Sequence, residues 1–298
     1  MAWQFWIDRG GTFTDLVGIS PTGQYVIKKL LSEQPDQPGD PTVRAIKEVL
    51  ELKEEQPIPN GLIEEVRLGT TVATNALLED AGEPVLLFCN SGFKDLLHIG
   101  DQHRPELFAL HIRRPPLLAR AVVEVTGRID AKGQEIEPLN LDAALEREVQ
   151  RHANAGLNSC AIALMHAYRN PNHELHLKDW LNQQGFNSVV CSHQICPLPR
   201  LVPRGQTTLV EATVSPVLFR YLRQIRKALG PSTRLRVMSS SGALQPPECL
   251  LAKDTILSGP AGGMVGAVAA ARASGLSKEP LLGFDMGGTS TDVFHVPA

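Results

Sequence analysis

The sequence predicts an α/β fold, and two observations carry that prediction. Apolar strand-like segments alternate with helix-like segments along most of the 298 residues, an order typical of α/β proteins. The pattern Asp-x-Gly-Gly-Thr-x-Thr-Asp also occurs twice, at residues 8–15 and 285–292. Each copy lies between two apolar strands, and paired glycines in such a turn favour anion binding. We therefore expect an α/β protein that handles phosphate groups.

The first hundred residues predict a strand meander followed by alternating helices and strands. Residues 3–9 alternate aromatic and polar side chains, and a Ser-Pro-Thr-Gly turn at 20–23 separates the next two strands. Apolar residues at helical spacing predict the first helix. The predicted strands are 3–9, 12–20, 24–31, 66–71 and 84–89, and the predicted helices are 42–52, 72–80 and 91–99.

The remaining sequence continues this alternation. Three prolines within 197–205 predict a boundary, with one domain at residues 1–200 and the start of a second at 201–298. A Gly-rich loop at 258–263 is expected to open an Ala-rich helix. The other predicted elements are strands at 122–129, 159–165, 188–192 and 234–239, helices at 141–155, 173–184 and 207–229, and a closing hairpin at 281–296.

Composition favours a cytoplasmic enzyme. The chain is 43% apolar and 20% charged, with a net charge of −3 and a pI near 6.3, which gives no reason to expect a nucleic-acid or membrane partner. The N-terminus lacks the features of a signal peptide, and no apolar stretch is long enough to span a bilayer. Five cysteines without a Cys-x-x-Cys pair favour reduced, mostly buried thiols over a Cys/His metal site.

The second hairpin ends the sequence with no element after it to pack upon it. A hairpin alone is marginally stable in water. The chain is therefore expected to be a fragment, or its last strands to join a sheet that is already made.

The two hairpins provide the candidate nucleotide site. Paired glycines let backbone N–H groups face an anion, and threonine hydroxyls can donate to phosphate oxygens. The carboxylate at each strand end, Asp8 or Asp285, can hold Mg²⁺ through water and is the candidate catalytic and metal residue. The candidate cofactor-binding residues are Gly10, Gly11, Thr12, Thr14, Gly287, Gly288, Thr289 and Thr291.

A plain hairpin turn is the alternative explanation for one copy. Two copies of an eight-residue pattern in the same strand–turn–strand setting make that explanation weak for the pair. The pattern is neither a Walker loop nor a Gly-x-Gly-x-x-Gly dinucleotide fingerprint.

A second candidate region begins a predicted helix. Thr70, Thr71, Thr74 and Asn75 lie where orphan N–H groups favour anions, which makes them weak substrate candidates. Ordinary N-capping by the first two threonines explains the same pattern equally well. For the Gly-rich loop at 258–263, close packing of a helix on a sheet is slightly preferred over anion binding.

Isolated basic residues are weaker candidates. Arg204 lies in a Pro-rich segment with Arg200, where it can grip a substrate carboxylate bidentately or form a surface ion pair. The isolated histidines, each a weak catalytic candidate, are His98, His103, His111 and His166.

The sequence with these motifs resembles the N-terminal, ATP-binding part of the 5-oxoprolinase / hydantoinase A family. The resemblance extends over essentially the whole chain, and residues 30–33 and 96–100 look more like 5-oxoprolinase than the acetone-carboxylase branch. The matching stretches are residues 7–15, 30–33, 68–79, 92–100, 202–205, 257–263 and 283–293.

The resemblance implies an actin-like/sugar-kinase (ribonuclease H-like) ATPase fold, here the first domain plus the start of the second. It implies ATP and Mg²⁺ as cofactors. It further implies phosphorylation of the lactam oxygen of 5-oxo-L-proline and ring opening by water to L-glutamate, a reaction of glutathione metabolism. A hydantoinase-B-type module, fused or separate, and a homo-oligomer are the implied partners, and the family's adenine-binding segment is expected beyond residue 298.

One stretch departs from the family pattern. Ser240-Ser241-Gly242-Ala243 stands where the family commonly has Ser-Asp-Gly-Gly or Ser-Asn-Gly-Gly, which leaves the cyclic amide open. Three functions remain: a cyclic amide hydrolase that uses ATP on 5-oxoproline or on a hydantoin, a small-molecule kinase of the sugar-kinase fold, and a nucleotide-dependent switch of the actin type.

Overall fold

The computed structural model describes residues 2–33, 39–101, 106, 108–111, 116–276, 278–286 and 291–297. These residues form two compact units, each described separately below. The first comprises Met1–Ala81 and Val217–Ala298, and the second is Gly82–Pro216. Gly287, Gly288, Thr289 and His103 lie outside the described residues.

The strands and helices alternate as the sequence predicts, which confirms the α/β class. The strands are β1 (Trp3–Arg9), β2 (Phe13–Ile19), β3 (Tyr25–Leu31), β4 (Ile63–Thr70), β5 (Val85–Asn90), β6 (Ala119–Ile129), β7 (Glu135–Asn140), β8 (Ser159–Ile162), β9 (Ser188–Cys191), β10 (Arg234–Met238), β11 (Leu244–Gln245), β12 (Leu281–Met286) and β13 (Thr291–Val296). The α-helices are α1 (Pro41–Val49), α2 (Val72–Leu78), α3 (Leu96–Ile99), α4 (Ala143–Asn154), α5 (Asn172–Gln183), α6 (Ser192–Ile195), α7 (Leu201–Leu229) and α8 (Ser258–Ala273).

The first unit is built on a six-stranded sheet of order β11-β10-β4-β1-β2-β3. β1, β4 and β10 are mutually parallel, whereas β1, β2 and β3 form the predicted antiparallel meander. Phe5 and Ile7 of β1 and Leu68 of β4 are buried with Ala45 and Ile46 of α1. The parallel centre of this sheet therefore places the ends of β1 and β4 side by side.

The start of α1 is specified locally. Asp40 accepts a hydrogen bond from the Thr42 backbone N–H at 2.8 Å, and Pro41 occupies the first helical position. An aspartate N-cap and a proline at this position both favour helix initiation, because the first N–H groups of a helix have no intrahelical acceptor.

The second hairpin forms its own two-stranded sheet in the first unit. β12 and β13 pair with each other, and within the described residues they do not join the six-stranded sheet. Helix α8 packs against both strands and against β4. Within the described residues, the last strands therefore do not join the existing sheet, which was one of the two expectations.

The second unit holds a five-stranded sheet of order β7-β6-β5-β8-β9, in which β5, β6, β8 and β9 are parallel. Every residue of β5 is buried, as expected for a central parallel strand covered on both faces. Leu86 and Phe88 belong to one core cluster, and Val85 and Leu87 belong to another. The alternation of side chains along one strand thus separates the two cores.

Two local predictions were wrong, and one strand was not predicted. The helix predicted at 207–229 starts earlier, because α7 begins at Leu201; Pro203 lies in the first turn, where a missing N–H costs no helical hydrogen bond. The Gly-rich stretch 258–263 is the first part of α8 rather than a loop. The strand without a prediction is β7, which contains Pro138 and lies at the sheet edge, where proline is tolerated.

Candidate functional site

The candidate site lies at the carboxyl ends of the parallel strands of the first unit. β1 ends at Arg9, β4 at Thr70 and β10 at Met238. Ligands of open α/β sheets bind at this edge. The turn of the first hairpin and the first residues of α2 and α8 lie at this edge. These are the predicted motifs at 8–15, 70–75 and 258–263.

The turn of the first hairpin needs its glycines. Gly10 donates its N–H to the Phe13 carbonyl at 3.0 Å, and a Cβ on Gly10 would lie 3.1 Å from that same oxygen. A Cβ on Gly11 would lie 3.3 Å from Nδ2 of Asn75. Side chains at these positions would crowd the turn, and Gly11 is exposed. The exposed backbone is therefore open to an anion, as the motif predicts.

Ser32 braces this turn from beneath. Its N–H donates to the Thr12 carbonyl at 2.9 Å, and its hydroxyl donates to the Gly10 carbonyl at 2.7 Å. The same hydroxyl lies 3.0 Å from Oγ1 of Thr14. Sequence reasoning did not identify this role, although Ser32 lies in one of the stretches that carry the family resemblance.

The two predicted threonine ligands of the first hairpin have different surroundings. Thr12 is exposed beside the glycines, whereas Thr14 is fully buried with its hydroxyl against Ser32. Thr291, the counterpart of Thr14 in the second hairpin, is exposed. The structure thus places Thr12 where a phosphate can reach it and gives Thr14 a protein partner.

Asp8 is held in an unusual electrostatic setting. Asp8 is exposed at the end of β1, yet desolvation by the protein around it raises the pKa of its carboxyl above the usual range. The negative charges of Asp15 and Asp285 raise this pKa further, against a smaller opposing effect of Lys29. Asp15 is itself paired with Lys29 Nζ at 2.8 Å. No described residue donates a hydrogen bond to the Asp8 carboxylate. The residue is exposed, so its carboxylate is accessible from solvent.

The strand registers of the two hairpins match. Asp8 pairs with Asp15 across β1 and β2, and Asp285 pairs with Asp292 across β12 and β13. Asp285 is one of the charges that raise the pKa of Asp8. The strands of both hairpins belong to the same compact unit, and α8 packs against β4 and against both strands of the second hairpin.

The α2 threonines mostly bind protein atoms. Thr70 Oγ1 accepts from the Val72 N–H at 3.3 Å, and Thr71 donates to the Arg9 carbonyl from both its N–H and its hydroxyl. The Thr74 hydroxyl donates to the Ile256 carbonyl at 2.5 Å. These contacts explain the threonines as capping and positioning groups, whereas the Asn75 side chain faces a cleft.

That cleft has a volume of about 520 Å³ and begins at the first hairpin. It lies within the first unit, and its size is in the range of small-molecule sites. Arg9, which sequence reasoning missed, lies on its wall. The other lining residues are Gly11, Thr12, Glu33, Val72, Asn75, Ala76, Glu79, Ala81, Val217, Arg220, Tyr221 and Gln224.

A smaller cavity of about 190 Å³ lies beside Asp8, between β1, β4, β10 and the start of α8. Gly69 lines it, and a Cβ on Gly69 would lie only 2.9 Å from Oδ1 of Asp8. The absence of a side chain at Gly69 therefore provides the space for the carboxylate.

The stretch that departs from the family pattern positions α8. The Ser240 hydroxyl accepts a hydrogen bond from the Leu257 N–H at 3.0 Å, directly before the helix. Ser241 Oγ lies 2.8 Å from Ser239 Oγ. A Cβ on Gly259 would meet no atom within 4 Å, so close packing, the explanation preferred for the Gly-rich stretch, does not account for glycine at that position.

Arg204, the other weak substrate candidate, lies in the second unit and is completely buried. Its Nε, Nη1 and Nη2 donate to Ser192 Oγ, the Leu198 carbonyl and the Leu164 carbonyl at 2.9, 2.7 and 2.5 Å. Burial lowers its pKa, an effect opposed by the charge of Glu174. Arg204 is therefore not the arginine of a surface ion pair, and its guanidinium nitrogens are bonded to protein atoms.

Glu174, Cys191 and His193 approach one another in the same unit, within 4.8 Å between ligand atoms. The carboxylate of Glu174 already accepts from the Leu164 N–H, the Ser192 hydroxyl and the His193 N–H and pairs with His193 Nδ1 at 2.6 Å. Burial raises the pKa of Cys191 to about 12, which disfavours the thiolate a metal needs. This cluster is explained as a buried hydrogen-bond network.

Comparison with known proteins identifies the class. The family model for the hydantoinase/oxoprolinase N-terminal region matches residues 4–185, and the model for the hydantoinase/oxoprolinase domain matches residues 204–298. The chain therefore belongs to the hydantoinase/oxoprolinase family. The proposed sequence boundary near residue 200 stays a prediction.

Among curated relatives, 5-oxoprolinase 1 of Arabidopsis thaliana is 38% identical over 97% of this chain and 25% of its own length. The 5-oxoprolinase of Dictyostelium discoideum is 33% identical over 97% of this chain and 26% of its own length. Caprolactamase subunit alpha of Pseudomonas jessenii is 31% identical over 96% of this chain and 42% of its own length. The chain thus spans about a quarter of the length of these 5-oxoprolinases.

Two solved structures share the fold. Nucleotide-free acetone carboxylase matches with a TM-score of 0.79 and 23% identity over 99% of this chain and 44% of that one. The ATP-dependent caprolactamase from Pseudomonas jessenii matches with a TM-score of 0.74 and 28% identity over 98% of this chain and 43% of that one. The actin-like α/β fold implied by the resemblance is confirmed. Within the described residues, no helix combines the length and apolar character needed to cross a membrane.

Proposed function

We propose that this chain is the nucleotide-binding and substrate-activating part of an ATP-dependent cyclic amide hydrolase, and that its substrate is 5-oxo-L-proline, opened to L-glutamate. One observation carries the proposal. The two hairpins have the same register, Asp8 with Asp15 and Asp285 with Asp292, and Asp285 contributes to the raised pKa of Asp8, which supports a shared site for the two carboxylates. The 5-oxoprolinase relatives support the choice of substrate.

The phosphates of ATP are assigned to the turns of the two hairpins. In the first, Gly11 presents its backbone N–H and Thr12 presents its hydroxyl, while Gly10 shapes the turn by donating its own N–H to the Phe13 carbonyl. Ser32 fixes this turn through its three contacts, so the donors are positioned before the nucleotide arrives. Gly287, Gly288, Thr289 and Thr291 are assigned the same role in the second hairpin.

Asp8 and Asp285 fit a Mg²⁺ site. Both are hard oxygen ligands, and Asp8, which is exposed at the end of β1, has negative charge near it and no described hydrogen-bond donor. Mg²⁺ bound there would balance the charge of the phosphates and of the carboxylates. Gly69 leaves room for Asp8 to keep the required orientation.

The chemistry asks the protein mainly for positioning. A lactam carbonyl is a poor electrophile, and transfer of the terminal phosphoryl group to its oxygen converts that oxygen into a good leaving group, with ADP as the other product. The cleft beside Thr12 lies next to the first phosphate hairpin and is large enough for a five-membered lactam. We place the substrate there, with Asn75 at the amide.

Ring opening by water is assigned to a hydantoinase-B-type partner, fused or separate. The chain covers only 42% of caprolactamase subunit alpha, a protein whose name denotes one subunit of an assembly. A homo-oligomer and a cytoplasmic location belong to the same proposal.

The caprolactamase likeness favours a second candidate, the same chemistry on a lactam without a carboxylate. ADP release by the native protein, with a B-type partner present, separates the possibilities. Stimulation by 5-oxoproline supports the proposal, and stimulation by caprolactam or hydantoin alone selects the second candidate or a hydantoinase. Phosphorylation of glycerol would make the protein a kinase, and no turnover with any of these compounds would refute all of these activities.

A further inference from the structure

The cleft that begins at the first hairpin contains an arginine with an incomplete set of partners. Arg9 directly follows Asp8, yet its side chain lies on the wall of the 520 Å³ cleft rather than beside Asp8 in the smaller cavity. The alternation of side chains along β1 accounts for this difference. Arg9 is therefore separated from the carboxylate assigned to Mg²⁺.

The guanidinium of Arg9 is fixed on two sides. Its Cζ lies 5.0 Å from the ring centroid of Tyr221, and its Nε lies 3.4 Å from Oδ2 of Asp40. Tyr221 is anchored in turn, with its hydroxyl 3.2 Å from Oγ1 of Thr42. Asp40 caps α1 through its other carboxylate oxygen. These contacts reduce the rotamer freedom that an arginine normally loses on binding a ligand.

Among the described residues, none accepts a hydrogen bond from the Arg9 guanidinium, and Asp40 contributes only the longer ion pair. Nε is buried without a hydrogen bond, and no described residue accepts a hydrogen bond from Nη1 or Nη2. Arg204 differs, because each of its three nitrogens donates to the protein. The side chain of Arg9 is 23% exposed, so its fork is accessible from the cleft. A planar fork of this kind binds carboxylate and phosphate oxyanions bidentately.

The hairpin repeat indicates which oxyanion is expected. The position of Arg9 in the first motif is occupied by Met286 in the second. If this position served the phosphates, both copies would need a cation there, since glycine N–H groups and threonines occur in both. An arginine in one copy only points to a ligand that only one hairpin meets, namely the substrate.

The remaining walls of the cleft fit a small ring with a polar edge. Val72, Ala76 and Val217 offer apolar contact for ring methylenes, and Asn75 offers an amide beside Gly11. The rest of the lining is mainly polar and includes the acidic Glu33 and Glu79, so the apolar contact is confined to one part of the wall.

We infer that Arg9 binds the carboxylate of the cyclic amide substrate and so selects carboxylated lactams over neutral ones. The inference rests on the proposed function. Binding to Arg9 also orients the ring, because a carboxylate bound there places the lactam group near Asn75 and the hairpin turn. Arg9 thus becomes the specificity-determining residue of the cleft.

The test compares 5-oxo-L-proline with 2-pyrrolidinone, which has the same ring without the carboxylate. Dissociation constants are measured on the full chain by calorimetry or ligand-observed NMR, for the wild type, Arg9→Gln, Arg9→Lys and the control Arg234→Gln. Arg234 is an exposed arginine of the same unit, paired with Glu64 outside the cleft. Unfolding curves confirm that each variant is folded.

We expect Arg9→Gln to weaken 5-oxoproline binding by roughly 10- to 100-fold, the value of a charge-assisted hydrogen-bond pair, and to leave 2-pyrrolidinone unchanged. Arg9→Lys keeps the charge but not the fork, so its loss is expected to be smaller, and Arg234→Gln should match the wild type. Equal losses for both ligands, no loss, or no binding of 5-oxoproline to the wild type would overturn the inference.

A parallel titration with inorganic phosphate and with ATP distinguishes the other oxyanion. Weakened phosphate or ATP binding in Arg9→Gln, with 5-oxoproline unaffected, would assign Arg9 to the nucleotide and overturn the inference while the proposed function stands. Failure of the native protein to release ADP with any cyclic amide would instead remove the proposed function, whatever the Arg9 variants bind.

Discussion

Replacing Gly69 by alanine is expected to disable the Asp8 site without removing any functional group. The new methyl carbon would lie 2.9 Å from Oδ1 of Asp8, whereas ordinary van der Waals contact requires about 3.4 Å or more. The carboxylate therefore has to move by about 0.5 Å, the positional tolerance of a functional site. A displacement of about 1 Å costs roughly 100-fold in rate, so we expect Gly69→Ala to lower ATP turnover by about 10- to 100-fold.

The assay is ADP release by the native protein with saturating substrate, together with a Mg²⁺ titration. Gly266→Ala is the control, because a Cβ at Gly266 meets no atom within 4 Å in exposed helix; it should leave turnover unchanged and stabilise α8 by up to about 1 kcal/mol. Wild-type turnover and Mg²⁺ dependence in a folded Gly69→Ala variant would refute the assignment of Asp8 to the metal.

Three further predictions concern two carboxylates and the thiols. Asp8→Asn should remove most ATP turnover yet raise the midpoint of thermal unfolding near pH 7 without Mg²⁺. The raised pKa of Asp8 means that the wild type loses stability as pH rises from the usual carboxyl range through the folded-state pKa; a variant that matches the wild type at every pH would contradict this. Glu174→Gln should lower the free energy of unfolding by about 3 kcal/mol in urea titrations, since it disturbs a fully buried carboxylate network, and a loss below about 1 kcal/mol would show that the network is replaceable. Labelling with a thiol reagent at pH 8 should modify exposed Cys249 first and spare Cys191, whose pKa burial raises to about 12; mass spectrometry would reveal the opposite order.

The hairpin motif and the alternation of elements could be predicted because their signals are local. Paired glycines, a flanking aspartate and apolar strands all lie within a few residues of each other, and the register of Asp8 with Asp15 and of Asp285 with Asp292 agrees with that pattern. The start of α7 was misplaced because proline breaks helices except in their first turn. The sequence alone does not show that the helix begins at Leu201, so it does not show that Pro203 lies in the first turn.

The cleft could not be predicted because its parts come from distant segments. Tyr221 reaches Arg9 only after the second half of α7 has returned to the first unit. The substrate candidates chosen from residues 70–75 were selected for their position at a helix start, yet the hydroxyls of Thr70, Thr71 and Thr74 contact protein atoms. Burial likewise decided the role of Arg204, since nothing in its Pro-rich neighbourhood distinguishes an internal arginine from a surface one.

The interruption of the first unit by the second has a consequence during synthesis. β4 pairs with β10, and the hydrogen bond from Arg234 to Glu64 joins residues 170 positions apart. At about 5–20 residues per second, the ribosome needs on the order of 10 s or more to deliver that partner. Until then, the edge of β4 that pairs with β10 has no partner, and an unpaired strand edge promotes aggregation. We therefore expect Gly82–Pro216 to fold first as a contiguous body and the nascent N-terminal sheet to depend on chaperones until β10 emerges.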